Sequence, residues 1–184
     1  MKIAFLFSGQ LREIEFELFR KSLFNLTKGL DYAIFAYSWE EMGKSLNHKS
    51  NLPEINLVEN IDEKINLLFK DFNLIDFGYE SFKDFKKGLQ DQHREIFYSK
   101  KFDFGTVNSL PQIYTLYKSF ELLEKSEYNF DLVFRCRFDS IFIHPMKIFP
   151  LKQILSNGSV FNLNFGRAYY PNRIYDIFFG GSRK

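Results

Sequence analysis

The chain has 184 residues, 45% of them apolar and 26% charged, with a formal net charge of +2. That length suits one domain, residues 1–184, able to bury roughly 70% of its unfolded surface around a single core. The composition excludes intrinsic disorder, and basic residues scattered among acidic ones exclude the basic face of a duplex-binding protein, so no nucleic acid is expected as partner.

Further bulk features narrow the setting. The lone Cys136 has no internal partner for a disulfide, and residues 1–7 turn polar too quickly for a signal peptide, which predicts a cytoplasmic protein. No apolar run approaches the roughly 18 residues needed to span a bilayer, so membrane contact is expected to be peripheral at most. The 24 Phe are ascribed to compositional bias and carry no functional argument.

Residues 2–7 form an apolar run ending at Ser8-Gly9, the pattern of a strand buried on both faces as in parallel sheets. Ile14, Phe16, Leu18, Phe19, Leu23, Phe24 and Leu26 then predict a helix of about four turns stopped near Gly29. Residues 32–37 read as a second buried strand with Trp39 and Glu40 at its end, which completes a βαβ unit. Residues 40–60 read as a loop carrying one short strand at 55–58. Asp62 is expected to cap a helix from Glu63 to about Phe72, and residues 81–98 are helical in character.

Ser109 is expected to cap the next helix, with Pro111 in a first turn where its missing N–H is harmless. Ile113, Leu116, Tyr117, Phe120 and Leu123 form its apolar stripe, with Gln112 and Tyr114 near enough to the stripe's edges to reach a cleft. A turn at 128–130 leads into a strand over 131–139. Alternation predicts a half-exposed strand from Val160 to Phe165, within a final segment ending at Ser182. Such βα alternation predicts an α/β fold with a mostly parallel sheet flanked by helices.

The strand over 131–139 carries the chemistry. A period of two places Leu132, Phe134, Cys136 and Phe138 on one face, with Val133, Arg135, Arg137 and Asp139 on the other. Buried charges without partners cost several kcal/mol each. Two arrangements supply partners. In one, Arg137 and Asp139 satisfy each other and Arg135 reaches a carboxylate such as Glu40 or Asp91. In the other, the row lies where the strand leaves the sheet, its arginines bind phosphate oxygens, and Asp139 holds a divalent metal or a sugar hydroxyl. The turn from Ser8 to Arg12 is expected to stand beside the row, at the start of a helix whose amides attract anions. His48, His93 and His144 lack metal-ligand spacing.

Five blocks in chain order carry a resemblance. They are Ile-Ala-Phe-Leu-Phe-Ser-Gly-Gln-Leu-Arg at 3–12, Phe-Ala-Tyr-Ser-Trp-Glu at 35–40, Pro-Gln-Ile-Tyr-Thr-Leu-Tyr-Lys-Ser at 111–119, Phe-Arg-Cys-Arg-Phe-Asp at 134–139 and Tyr-Asp-Ile-Phe-Phe-Gly-Gly-Ser at 175–182. Together they resemble bacterial glycosyltransferase-like proteins of surface-polysaccharide (lipopolysaccharide or capsule) loci. The resemblance implies a Rossmann-like GT-A fold of the nucleotide-diphospho-sugar transferase type. It implies a nucleotide-sugar donor and a glycan or lipid-linked glycan acceptor.

By the same resemblance, Ser8, Gly9, Gln10 and Arg12 bind nucleotide, Gln112 and Tyr114 line the donor cleft, and Arg135, Arg137 and Asp139 form the diphosphate site. Asp139 and Asp176 are the catalytic candidates, Asp176 as base for the acceptor hydroxyl. The family's metal motif has two aspartates separated by one residue, and position 137 here is Arg. That leaves two arrangements: Mn or Mg on Asp139 alone, or arginine charge in the metal's place. Related proteins continue into further helices beyond the position of Lys184, so the chain is expected to be C-terminally truncated. The alternative to an active transferase is an inactive or truncated nucleotide-sugar-binding module.

Overall fold

The computed structural model describes residues 1–11, 16–43, 55–57, 60–92, 104–143, 145–146, 151–152, 155–156, 160–162 and 178–182. Residues 3–8, the interior of β1 (Lys2–Gly9), are all buried, the outcome expected of a strand covered on both faces. Helix α1 (Phe16–Thr27) follows and ends before Gly29, whose φ of 75° is the left-handed stop anticipated there. It returns the chain to β2 (Asp31–Trp39), which pairs with β1 in parallel from Lys2↔Asp31 to Gly9↔Ser38.

A short antiparallel pair, β3 (Glu41–Gly43) and β4 (Ile55–Leu57), branches from the end of β2. Helix α2 (Ile61–Leu68) is capped by Asn60 and not by Asp62: the Asn60 side chain accepts from Glu63 N at 3.2 Å. Asn60 tolerates the left-handed conformation this cap requires, with φ at 54°. The helix also stops at Leu68, short of the expected Phe72. Beyond it, β5 (Leu74–Glu80) joins β2 in parallel, a strand the sequence reading did not anticipate.

Helix α3 (Phe82–Gln92) starts on a buried carboxylate. Glu41 accepts from Phe82 N at 2.7 Å, Lys83 N at 3.3 Å and Ser81 Oγ at 3.2 Å, so an acidic side chain from β3 satisfies the first amides of the helix. Helix α4 (Phe104–Lys125) begins before the expected Ser109 cap and carries Pro111 inside it. It leads to β6 (Leu132–Cys136), which lies parallel to β1 on the side away from β2. Strands β7 (Val160–Asn162) and β8 (Phe178–Ser182) add an antiparallel edge, giving the sheet order β5-β2-β1-β6-β8-β7. Expected residues 163–165 of β7 lie outside the described residues.

This is an α/β, Rossmann-like arrangement: four parallel strands with helices on both faces. On one face Ile3, Phe5, Phe7, Ile34, Leu132 and Phe134 pack against Phe19, Leu23 and Leu26 of α1 and Ile65 and Leu68 of α2. Each such side chain contributes about 1.5–3 kcal/mol on burial. On the other face Ala4, Leu6, Ala33 and Phe35 meet Leu123 of α4 and Phe130.

Helix α4 uses the expected stripe only in part: Leu123 is buried against the sheet and Leu116 packs on the same cluster. Ile113 and Tyr117 are 60% and 56% exposed, and Phe120 is also exposed, whereas Thr115, Ser119 and Leu123 are fully buried. Small residues let the helix axis approach the sheet. Their hydroxyls are satisfied within the helix, Thr115 Oγ1 donating to Pro111 O at 3.1 Å and Ser119 Oγ to Leu116 O at 2.7 Å. The rotation turns Tyr114 and Lys118 towards the ends of β2 and β5.

Candidate functional site

The chain builds β1, β2 and β5 in one direction across the sheet and then crosses to the other side of β1 for β6. Strand order therefore reverses between β1 and β6, and the carboxyl ends of those two strands flank the crevice where open α/β sheets bind ligands. The residues at that place are the end of β1 and the segment following β6.

At the end of β1, Ser8 is fully buried and Gly9 has φ of 120°, a conformation closed to residues with a side chain. The turn is tied down by two bonds: Leu11 N donates to Ser38 Oγ at 3.3 Å, and Gln10 Nε2 donates to Glu41 O at 3.3 Å. Gln10 is thus engaged with β3 and not directed to the crevice.

Arg135 is only 4% exposed and donates from Nε to Ser8 Oγ at 3.2 Å. The expected proximity to the Ser8 turn is found for Arg135, carried by the parallel register Leu6↔Arg135. The row itself is shorter than expected. Strand β6 ends at Cys136, and Arg137 and Asp139 lie in the turn beyond it, closed by Ser140 N donating to Arg137 O at 3.2 Å. Between them Phe138 is buried against Phe7 and Phe69, with ring centroids 5.9 and 6.4 Å away.

With Phe138 anchored, Arg137 and Asp139 turn to face each other. Nε donates to Oδ1 and Nη2 to Oδ2, both at 2.9 Å, the side-on fork in which guanidinium and carboxylate match best. The pairing foreseen in the first of the two sequence-level arrangements therefore forms for Arg137 and Asp139, while Arg135 donates to Ser8.

These residues do not fit a divalent metal. Both oxygens of Asp139 already face guanidinium nitrogens, so a cation bound there would sit against a fixed positive charge. Among the described residues no three His, Cys, Asp or Glu side chains converge.

Tyr114 lies elsewhere. Its hydroxyl donates to Glu80 Oε2 at 3.2 Å, and its ring stacks on Trp39 at 5.8 Å with 11° between planes. Glu80 ends β5, three strands from β6, or about 14 Å at the usual strand spacing. Tyr114 therefore belongs to a second polar group at the carboxyl edge, with Tyr37, Glu80, Lys118 and Glu121. Sequence reasoning missed Glu80 because it missed β5. The signal was the short run Leu-Ile-Asp-Phe-Gly-Tyr between Asn73 and Ser81. Gln112 is half-buried on α4. Arg12, Asp176, His48, His93 and His144 lie outside the described residues.

Burial dominates the titration of this second group. It raises the Glu80 carboxyl above its ordinary value, against the lowering effects of the Tyr114 hydroxyl and the Lys118 ammonium. Burial, helped by the Glu80 charge, pushes the Tyr37 and Tyr114 phenols from 10.0 up to about 12. The folded state thus holds these phenolic protons more tightly than the unfolded chain. Stability from them is full below pH 10 and is lost as pH rises through 12. Phenolate absorbance is expected to show a late phase coincident with loss of circular dichroism. Tyr37→Phe and Tyr114→Phe should each diminish it, and a titration complete by pH 10 would contradict the burial described.

The chain matches no protein-family model, no curated protein and no solved structure. Among the described residues no helix is long and apolar enough to cross a membrane.

Proposed function

We propose that the chain is a glycosyltransferase that moves a sugar from a nucleotide-sugar donor to a growing lipopolysaccharide or capsule glycan. The observation that carries this reading is the placement of Arg135, Ser8 and the Arg137–Asp139 turn together at the β1–β6 crossover. A buried guanidinium beside a glycine turn at that crevice is suited to a diphosphate, whose oxygens can approach the backbone at Gly9 and pair with planar N–H forks. The resemblance of the five sequence blocks supplies the sugar-transfer chemistry.

In this reading the acceptor hydroxyl attacks the anomeric carbon of the donor sugar, and the bond from that carbon to the distal phosphate oxygen breaks. The nucleoside diphosphate leaves with the bonding electron pair. Negative charge grows on its oxygens, where preorganised guanidinium groups are worth most. Asp176, two residues before β8 in sequence, is assigned the acceptor proton. The site acts on the cytoplasmic side, with an acceptor held at the membrane surface.

Calorimetry of the full chain with UDP-, GDP- and CMP-sugars, followed by an assay of nucleotide release with and without a glycan acceptor, tests the proposal. Binding with acceptor-dependent release is the expected result. Binding without release would convert the reading to a nucleotide-sugar-binding module, and no binding to any donor would remove it.

A further inference from the structure

We infer that one face of α1, together with the chain leaving the turn after β6, is a docking surface for an anionic lipid bilayer. The inference rests on the reading of a glycan acceptor held at a membrane and names the surface that brings the site to it.

After Ser140 the chain lies along α1. Phe142 N donates to Ser22 Oγ, and Asn25 Nδ2 donates to Phe142 O at 3.4 Å and to Ile143 O at 3.2 Å. Ser140 and Phe142 are buried, so the two-residue period of an extended segment sends Ile141 and Ile143 outward, 49% and 74% exposed. Ser22 and Asn25 mark the side of α1 that meets this segment. Leu18 stands one turn before Ser22, and Lys21 and Lys28 stand four residues before and three after Asn25, so all three share that face. Lys28 follows the last helical residue but keeps the helical bond, its N donating to Phe24 O at 3.0 Å. Leu18, Lys21, Phe24 and Lys28 are all exposed.

The composition of this face selects its partner. Aliphatic side chains that enter the acyl boundary, beside lysines whose ammonium groups reach anionic headgroups, are what a membrane-surface element requires. The lysine charge is available: Arg20 pairs with Asp71 at 2.7 Å, whereas Lys21 and Lys28 are in no ion pair among the described residues. Glu17, in the first turn, is the one acidic residue of α1. A second copy fits the face less well. A two-fold contact would lay each lysine-bearing face on its own duplicate, and lysine is depleted at protein interfaces. Ser140 closes the turn after β6, and Ile143 lies at most about 11 Å further along the chain. A bilayer held at Ile141 and Ile143 therefore adjoins the segment that borders the β1–β6 crevice.

Vesicle flotation of the full chain without nucleotide tests the surface. Vesicles of phosphatidylethanolamine with phosphatidylglycerol are compared with vesicles of phosphatidylcholine alone. Binding to the phosphatidylglycerol vesicles is expected to be at least tenfold tighter, at about fivefold for each lysine. The preference should vanish in about 1 M NaCl, where the screening length is about 3 Å. Lys21→Gln combined with Lys28→Gln should remove most of it. Ile141→Ser combined with Ile143→Ser should weaken binding to both kinds of vesicle by about tenfold or more. Because both isoleucines are exposed, that variant should melt as the wild type does. A wild-type chain that ignores phosphatidylglycerol vesicles, or variants that bind them like the wild type, would overturn the inference. So would a dimer in solution that the serine variant disperses while vesicle binding stays intact, which would give the face to a second copy. Donor binding is read separately by the calorimetry above. Its failure beside intact vesicle binding removes the sugar-transfer reading and leaves the surface, whereas lost vesicle binding beside intact donor binding removes the surface alone.

Discussion

Arg135→Met is expected to weaken nucleoside diphosphate binding by about 100-fold while the protein remains folded. The reasoning weighs two terms. A charge-assisted hydrogen bond to a phosphate oxygen is worth about 1.5–3 kcal/mol, which is roughly 10- to 150-fold in affinity. Against this stands the stability term. Arg135 is 4% exposed and sits at the end of a strand on the α4 side of the sheet, so keeping its charge there carries a desolvation cost. Methionine fills a similar volume without that cost, although Ser8 Oγ loses its donor. Unfolding free energy should therefore change by less than about 2 kcal/mol. Calorimetric affinity and thermal melting, measured on the same preparation, separate the two terms. A melting temperature lowered by many degrees with unchanged affinity would show that Arg135 serves the fold alone.

The parts of this fold legible in the sequence are those where burial on both faces leaves no ambiguity. Residues 3–8 and 33–38 are apolar or small throughout and form the centre of the sheet. Strand β5 escaped notice because it lies at the sheet's edge, with Asp76 and Tyr79 exposed, and because its Gly78 reads as a breaker. In fact Gly78 accommodates the Tyr37 ring, which would stand 2.8 Å from any Cβ placed there. Helix α4 misled for a different reason. Hydrophobic periodicity assigns the buried face to the largest apolar residues, but close helix-to-sheet contact selected Thr115 and Ser119, whose hydroxyls bond back to their own helix.

The site shows the same division. Proximity of Ser8 and Arg135 followed from two predictable parallel strands and the position of each residue at a strand end. The fate of Arg137 and Asp139 did not follow, because a two-residue period holds only while the strand continues. Nothing in Arg-Phe-Asp-Ser carries the Gly or Pro that usually announces a turn. What ends the strand is tertiary: Phe138 finds the cluster of Phe7 and Phe69, and the flanking charges are left to pair.

Gly180→Ala is expected to destabilise the chain by about 3 kcal/mol, the upper range for forcing extra volume into a packed site. Gly180 lies in β8 opposite Phe134 of β6. A Cβ there would stand 2.2 Å from Phe134 Cδ1 and 2.3 Å from Val133 O. The phenyl ring is fully buried and stacked on Phe5, so it has little room to retreat. The carbonyl is backbone of β6, and moving it disturbs the ladder that holds β8 in register from Leu132↔Ser182 to Cys136↔Phe178. Relief must come from β8 moving outward, which weakens its pairing with β6 and carries β7 with it. For a chain of this length the loss corresponds to a melting temperature lower by roughly 6–12 °C. The effect should reach the site as well. Strand β8 starts opposite Cys136, the last residue of β6, so a displaced β8 uncovers the flank of the strand that presents Arg135. Nucleotide affinity is therefore expected to fall together with stability in Gly180→Ala, whereas Arg135→Met should lower affinity far more than stability. Melting at the wild-type temperature in Gly180→Ala would mean that β8 does not pack on β6 as described.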